Sequence, residues 1–529
     1  MKKTVIYQIL PRLWGNRCTH PDRDGSLEEN GCGKFGDIDE CTIAYLRDEL
    51  QVSHIWLTGV LRHATTASFK GCPDSNPRIV KGRAGSPYAI VDYYDVNPYL
   101  ADNTVNRLDE FKSLLNRIHN AGLKVVMDFV PNHVSRDYGK VGLVRDDVPP
   151  LGSGDDCSVH WKPENDFFYY PGQPLLLPAP IDRLVSGVVP YYENPAKASG
   201  NRFSPSPGFN DWYETVRLNY CDFHTSTWDR MFDIVRYWCN EGVDCFRCDM
   251  VEMVPWQFMK WLISGIKKEF PDVSFIAEVY GKDLYRHYVE NVGFDLLYDK
   301  SGLYDTLRSV VEGKGTARGI TWNWQMLGDI QPRMLNFLEN HDEQRFASSF
   351  FGHDPSRTFA PLAASLFLNE APFMIYFGEE IGEAGMDVEG FSGRDGRTTI
   401  FDWWSVPSLR RLNEYIHEGK GLTDKEAETL ARWKDALTLA SRTAITSGKT
   451  FDLNYCNAGS PGFNPDRHFA FLRGTAEEIL LFVCNFSDSE SVMDILIPEE
   501  AVSYLGMKKT EAFRVNVSVN SSDYTVLPV

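Results

Sequence analysis

Eight short runs of β-branched and aromatic residues recur along the chain, separated by stretches of helical periodicity, and this alternation admits few folds. The runs span residues 5–10, 54–60, 124–130, 245–251, 274–280, 295–299, 334–339 and 372–377. Between them, 41–50, 107–121, 226–241, 256–270, 303–312 and 357–369 read as helices. Repeated strand and helix units predict a closed (β/α)8 TIM barrel, with an open doubly wound sheet as the weaker alternative. No Gly-x-Gly-x-x-Gly follows the first run, which counts against a dinucleotide-binding sheet.

The segment from the third run to the helix at 226 is too long for a simple connection, since loops beyond roughly 12–15 residues carry function or a fold of their own. Residues 134–211, rich in Pro, Gly and Tyr, are therefore expected to form an inserted subdomain B after strand three. Beyond an amphipathic stretch at 424–439 the helical rhythm gives way to alternating runs at 468–473, 478–485 and 491–497. The expected division is a barrel in two parts, 1–133 and 212–442, around the insertion, followed by a C-terminal antiparallel β-sandwich over 443–529.

Composition narrows the function. The 529 residues carry 73 acidic against 54 basic side chains, a net charge of -19 that repels nucleic-acid backbones. No run is long and apolar enough to span a membrane. The first residues, Met1-Lys2-Lys3 before an apolar run, are broken by Gln8, Pro11 and Arg12 and read as a first strand rather than a leader. Eleven scattered cysteines make no compact disulfide framework, which favours a reducing, cytoplasmic setting. A trimmed native signal would instead leave a periplasmic or secreted protein looking the same. The oligomeric state is left open.

Three of the runs lead into acids: Asp249 after Cys-Phe-Arg-Cys, Glu278 after Phe-Ile-Ala, and Asp342 after Phe-Leu-Glu-Asn-His. The carboxyl ends of barrel strands are where chemistry sits, and ionised carboxylates are rarely buried without a task or a partner. Period-2 alternation puts Arg247 on the face of Asp249, where a guanidinium holds a carboxylate ionised and oriented. Glu278 follows three apolar residues, a setting suited to a general acid. His341 beside Asp342 offers a donor next to an acceptor, as sugar hydroxyls require. Two carboxylates flanking one bond are the chemistry of glycoside cleavage. Cys245 and Cys248 form a Cys-x-x-Cys, but strand residues three apart face opposite ways, so packed thiols are expected. The aromatic pairs at 403–404 and 169–170, with Trp322 and Trp324, read first as buried rings.

The segments Asp128-Phe-Val-Pro-Asn-His133, Phe246-Arg-Cys-Asp249, Ala277-Glu-Val279 and Glu339-Asn-His-Asp342 stand in an order and spacing that resemble the α-amylase family, glycoside hydrolase family 13. Gly36-Asp-Ile-Asp39, leading to Ile55-Trp-Leu-Thr58, and the segment 86–94 around Tyr88 are similar to further motifs of that family. The resemblance covers about residues 5 to 405. It implies Asp249 as nucleophile, Glu278 as general acid/base and Asp342 as transition-state stabiliser, with Arg247 orienting Asp249. Tyr88, Asp92, His133 and His341 would bind the sugar being cleaved. The implied reaction is retaining cleavage of α-glucosidic bonds, α-1,4 by default, in α-glucans or malto-oligosaccharides. The rivals are transglycosylation by the same intermediate and a non-catalytic carbohydrate-binding or assembly relative, which typically lacks catalytic carboxylates that are all present here.

Two departures matter. Where many relatives carry Lys-His after the nucleophile, Glu252 and Met253 stand, so recognition of the leaving group must differ. No cofactor is expected to be required. The metal that the resemblance brings is calcium, with Asn132 as a candidate ligand and Asp22 with Asp24 as another possible pair. The usual ligating acid falls in the neighbourhood of Arg217, which offers no hard oxygen.

Overall fold

The computed structural model describes residues 2–140, 142–145, 147–184, 190–391, 393–509 and 511–529. Eight parallel strands close into a barrel: β1 (Val5–Ile9), β2 (His54–Leu57), β3 (Lys124–Phe129), β4 (Cys245–Cys248), β5 (Ser274–Ala277), β6 (Leu296–Tyr298), β7 (Met334–Phe337) and β8 (Phe373–Tyr376), with β8 pairing back onto β1. Each expected run holds a strand, but most strands stop short of the carboxyl end of the run. There the chain leaves the ladder to present side chains, so apolar character outlasts hydrogen bonding. Asp249 and Glu278 each come one residue after a strand, whereas Asp342 lies five residues past β7.

Helices wrap the barrel as their periodicity demands. In Ser226–Glu241, Trp228, Met231, Val235 and Trp238 recur at intervals of three and four and are buried, while Gly242 ends the helix in the left-handed conformation (φ 102°) that spares a Cβ. Helices at Arg318–Leu327 and Pro407–Glu418 were not expected from the sequence.

The long segment after β3 leaves and returns through an antiparallel ribbon, His133–Ser135 against Thr215–Arg217, placing His133 opposite Arg217. Residues 141, 146 and 185–189 of the expected insertion lie outside the described residues.

After the helix Asp424–Ala440 come β9 (Lys449–Asp452), β10 (His468–Gly474), β11 (Ile479–Asn485), β12 (Ser491–Ile497), β13 (Phe513–Val519) and β14 (Asp523–Pro528). The order β9-β10-β11-β14 forms one antiparallel sheet and β12-β13 a second. Leu472, Leu481 and Val483 of the first meet Met493, Ile495 and Val517 of the second in a separate core, the packing of a sandwich.

Candidate active site

Register builds the site. Arg247 on β4 pairs with Asp128 on β3 and Ile276 on β5, so Asp128 and Arg247 project side by side into the barrel mouth. Arg247 is fully buried. Its Nη1 donates to Asp249 Oδ1 (2.8 Å) and its Nη2 lies 2.8 Å from Glu278 Oε2, while Asp128 Oδ1 stands 3.5 Å from Nη1. The rings of Trp56, Tyr88 and Tyr298 surround the guanidinium at 5.5–5.6 Å. One cation thus holds two acids at adjacent strand ends close together and facing the same space.

Glu278 is not left in an apolar slot, as its preceding residues imply. Its Oε1 accepts from the Tyr280 hydroxyl (2.7 Å) and its Oε2 from the Met250 N–H (2.9 Å). Met250 reaches that position with a left-handed backbone (φ 45°), a conformation costly outside glycine that tends to persist at functional sites.

Opposite these acids, the Tyr88 hydroxyl meets His341 Nε2 at 2.5 Å, and the two rings stack with centroids 5.3 Å apart. His341 Nδ1 is held by Gln8 Nε2 (2.9 Å), and its Nε2 lies 3.2 Å from Asp342 Oδ2. His133 packs against Trp212 at 5.0 Å. Burial lowers both histidines to about 3, helped by Lys81 at His133 and by Arg247 at His341, so both are neutral hydrogen-bonding groups.

With the histidines neutral, Asp128, Asp249 and Glu278 share the Arg247 guanidinium, whose field reaches Asp342 together with those of Arg397 and Lys300. Burial pushes the Asp249 carboxyl well above its usual range, with Glu278 and Asp342 adding to the rise and Arg247 opposing it. Burial likewise raises Asp128 to about 7 against Arg247; Asp342, whose side chain is 45% exposed, is lifted less by enclosure in the cleft, against Arg247, Arg397 and Lys300. Such a cluster retains a proton where isolated carboxyls would have lost theirs. The acids face a cleft of about 430 Å³, within the range of about 300–1,000 Å³ that holds small ligands.

Tyr88, His133, His341 and the three acids all line this cleft, and Arg247 lies directly behind it. Asp92 does not line it. Its two oxygens accept from the Tyr94 and Val144 N–H groups (2.9 and 3.0 Å), which makes it a tie between the strand Ile90–Val96 and the segment after β3 rather than a sugar ligand. The sequence reading missed Lys81, Trp212, Glu214, Tyr280 and Arg397, all of which line the cleft. Tyr280 alone carried a signal, two residues past Glu278 and thus on the same face of an extended chain.

The residues present do not fit a calcium ion at Asn132. Asn132 Oδ1 is buried and takes no hydrogen bond, as a metal ligand would. Beside it, however, Arg217 donates from Nη1 to Gly200 O (3.0 Å) and from Nη2 to Met253 O (2.8 Å), and its guanidinium lies 4.9 Å from the centre of the Phe203 ring. A fixed cation already occupies those carbonyls, and among the described residues no carboxylate pairs with it. Among the described residues, Asp39, Cys41 and His417 are the one grouping with metal-ligand spacing, at the surface, where His417 pairs with Asp39 at 2.9 Å; Asp22 and Asp24 belong to no such group. Cys245 and Cys248 are buried thiols whose pKa burial raises. Trp403, Trp404 and Tyr169 are buried as expected, but Trp322 is exposed.

The sequence matches the family model "Alpha amylase, catalytic domain" over residues 19–292. It is 25% identical over 430 residues to Alpha-amylase 3 of Dictyoglomus thermophilum, covering 77% of this chain and 70% of the relative. It is 23% identical over 496 residues to a cyclomaltodextrinase of a Bacillus species, covering 92% and 73%. Among solved structures, cyclic α-maltosyl-(1→6)-maltose hydrolase of Arthrobacter globiformis superposes with a TM-score of 0.63 at 16% identity, covering 99% of this chain and 98% of that one. A noncanonic maltogenic α-amylase of Thermotoga neapolitana gives 0.59 at 18% identity, covering 99% and 96%. The structural likenesses speak to the fold, and the match of the catalytic-domain model to half of the chain decides the family: the chain belongs to the α-amylase family of glycoside hydrolases, family 13.

Proposed function

We propose that the protein is a retaining glycoside hydrolase that cleaves α-glucosidic bonds, α-1,4 by default, in malto-oligosaccharides or α-glucans. One observation carries this reading: a single buried guanidinium contacts both Asp249 and Glu278 at 2.8 Å. That closeness favours the retaining spacing of about 5–5.5 Å over the inverting spacing of about 6.5–9.5 Å, which needs room for a water.

In the first step an Asp249 oxygen attacks the anomeric carbon while Glu278 gives its proton to the departing glycosidic oxygen. The result is a covalent glycosyl ester on Asp249, with the leaving sugar released as an alcohol. In the second step Glu278, now the base, takes a proton from water, whose oxygen displaces Asp249 with a second inversion. Asp342 and the neutral His341 bear on the hydroxyls and developing positive charge of the sugar ring, Tyr88 packs on its face, and His133 binds at its edge. No cofactor takes part. All eleven cysteines are free thiols, which supports a cytoplasmic setting, and no helix among the described residues is long and apolar enough to cross a membrane.

The test is a panel of maltose, maltoheptaose, cyclodextrin, pullulan, isomaltose, sucrose and trehalose, with products followed by NMR from the first minutes. Release of α-anomers before mutarotation supports the proposal. Initial β-anomers refute the retaining step, and longer products at high sugar concentration would shift the reading to transglycosylation.

A further inference from the structure

The turn that follows Asp249 reaches across to the segment that bears Glu278. Met250 takes its left-handed φ of 45°, Val251–Met253 make one short helical turn, and the Met253 N–H donates back to Met250 O (2.9 Å). Arg217 Nη2, donating to Met253 O (2.8 Å), fastens the far end. Two groups extend from this turn. The Met250 N–H donates to Glu278 Oε2 (2.9 Å). The Glu252 carboxylate accepts from backbone just past Glu278, Oε2 from the Tyr280 N–H (2.6 Å) and Oε1 from the Gly281 N–H (3.2 Å). Glycine suits that approach, since a Cβ at Gly281 would stand 3.0 Å from Glu252 Oε1. The Tyr280 hydroxyl in turn donates to Glu278 Oε1 (2.7 Å). Both oxygens of Glu278 are thus held from one turn, Oε2 directly and Oε1 through Tyr280.

We infer that Glu252 is a positioning residue for the general acid/base: by gripping the Tyr280 and Gly281 N–H groups it sets the Tyr280 hydroxyl against Glu278 Oε1, the oxygen that carries the transferable proton. This rests on the glycosidase reading above. Glu278 Oε2 is faced by both Arg247 Nη2 (2.8 Å) and the Met250 N–H, which engages its two lone pairs. Oε1 accepts from Tyr280 and keeps a second lone pair for the proton. Packing alone does not fix Tyr280, which lies three residues past β5, outside the ladder, and is 37% exposed. Two successive N–H groups gripped by one carboxylate supply the missing restraint, as charge-assisted hydrogen bonds do. Glu252 stands where many relatives place a residue that contacts the leaving sugar, yet both its oxygens serve the backbone. The position braces the acid/base instead.

The experiment compares maltotetraose, followed by chromatography, with α-maltotriosyl fluoride, followed by a fluoride electrode. For either, kcat/KM reports the steps through formation of the ester on Asp249. A departing sugar needs the proton of Glu278, whereas fluoride leaves as the anion when the C–F bond breaks. Glu252→Ala should lower kcat/KM for maltotetraose at least about tenfold, mainly through kcat, and that for the fluoride by less than about threefold. Tyr280→Phe, which removes the hydroxyl alone, should show the same selectivity. Glu252→Gln, which keeps an acceptor for the Tyr280 N–H, should recover part of the loss; if Glu252→Ala fails to fold, the selectivity of Glu252→Gln decides. A loss shared equally by both substrates, as distortion of the whole cleft would give, overturns the inference, and so does no loss on maltotetraose. Cleavage of neither substrate by the wild-type protein overturns the proposed function, and this inference with it.

Discussion

Asp299 offers a test of the electrostatic reasoning at a distance from the cleft. It follows β6, is 1% exposed, and accepts from Asn323 Nδ2 through Oδ2 (3.0 Å). Its Oδ1 and Asn323 Oδ1 take no hydrogen bond, yet both crowd one point above Gly302, 2.0 and 2.4 Å from where a Cβ would stand. Burial pushes Asp299 from 3.8 up to about 6, against the pull of Asn323, of the Leu303 N–H and of Lys282. Because the folded value is the higher one, the group favours folding fully below its unfolded pKa and loses that contribution as pH rises through 6. At about 1.4 kcal/mol per pH unit, the gap amounts to a penalty of about 3 kcal/mol at pH 8. Asp299→Asn removes the charge and supplies an amide N–H for Asn323 Oδ1. Guanidinium unfolding of both proteins, followed by tryptophan fluorescence, should find the variant more stable by about 3 kcal/mol at pH 8 and nearly equal at pH 4. Activity should be unchanged, since Asp299 does not line the cleft. A difference independent of pH, or larger at acid pH, would refute the account.

Asp249→Asn should lower kcat on malto-oligosaccharides by at least about four orders of magnitude, with circular dichroism unchanged; retention of a tenth of wild-type activity would remove Asp249 from the nucleophile's role. Chelation should leave activity intact because Arg217 occupies the carbonyls a metal would need. Arg217→Ala should cost on the order of 2 kcal/mol of stability through two lost charge-assisted hydrogen bonds, read by thermal unfolding. Inactivation by chelator that added calcium reverses would show that a metal site had been overlooked.

The barrel was legible because its strands are buried on both sides and therefore read as apolar runs, and three of its acids stand out against those runs. Strand ends were overshot for a physical reason: Val279 and Val251 are as buried as strand residues but lie past the ladder, Val279 in irregular chain beside Glu278 and Val251 at the start of the short helix Val251–Met253 that follows Met250. The helix Arg318–Leu327 escaped notice because Trp322 and Met326 are exposed on it, blurring the apolar stripe. Lys81 and Glu214 could not be paired from sequence, since they lie 133 positions apart on connecting segments with no shared period. Asp92 misled because an acid in a recognisable loop carries the same letter whether it faces sugar or ties backbone.

The ribbon of His133–Ser135 and Thr215–Arg217 has a consequence for how such an enzyme can diversify. It pins the two feet of the long excursion after β3, so the chain between them begins and ends at a fixed spacing whatever its length. Doubling such a tethered excursion adds only about 0.6 kcal/mol of loop-closure entropy. Insertions and deletions there can reshape one wall of the binding space while Asp249 and Glu278 stay where the barrel and Arg247 put them. Substrate choice and bond-breaking chemistry are thereby left free to evolve at different rates.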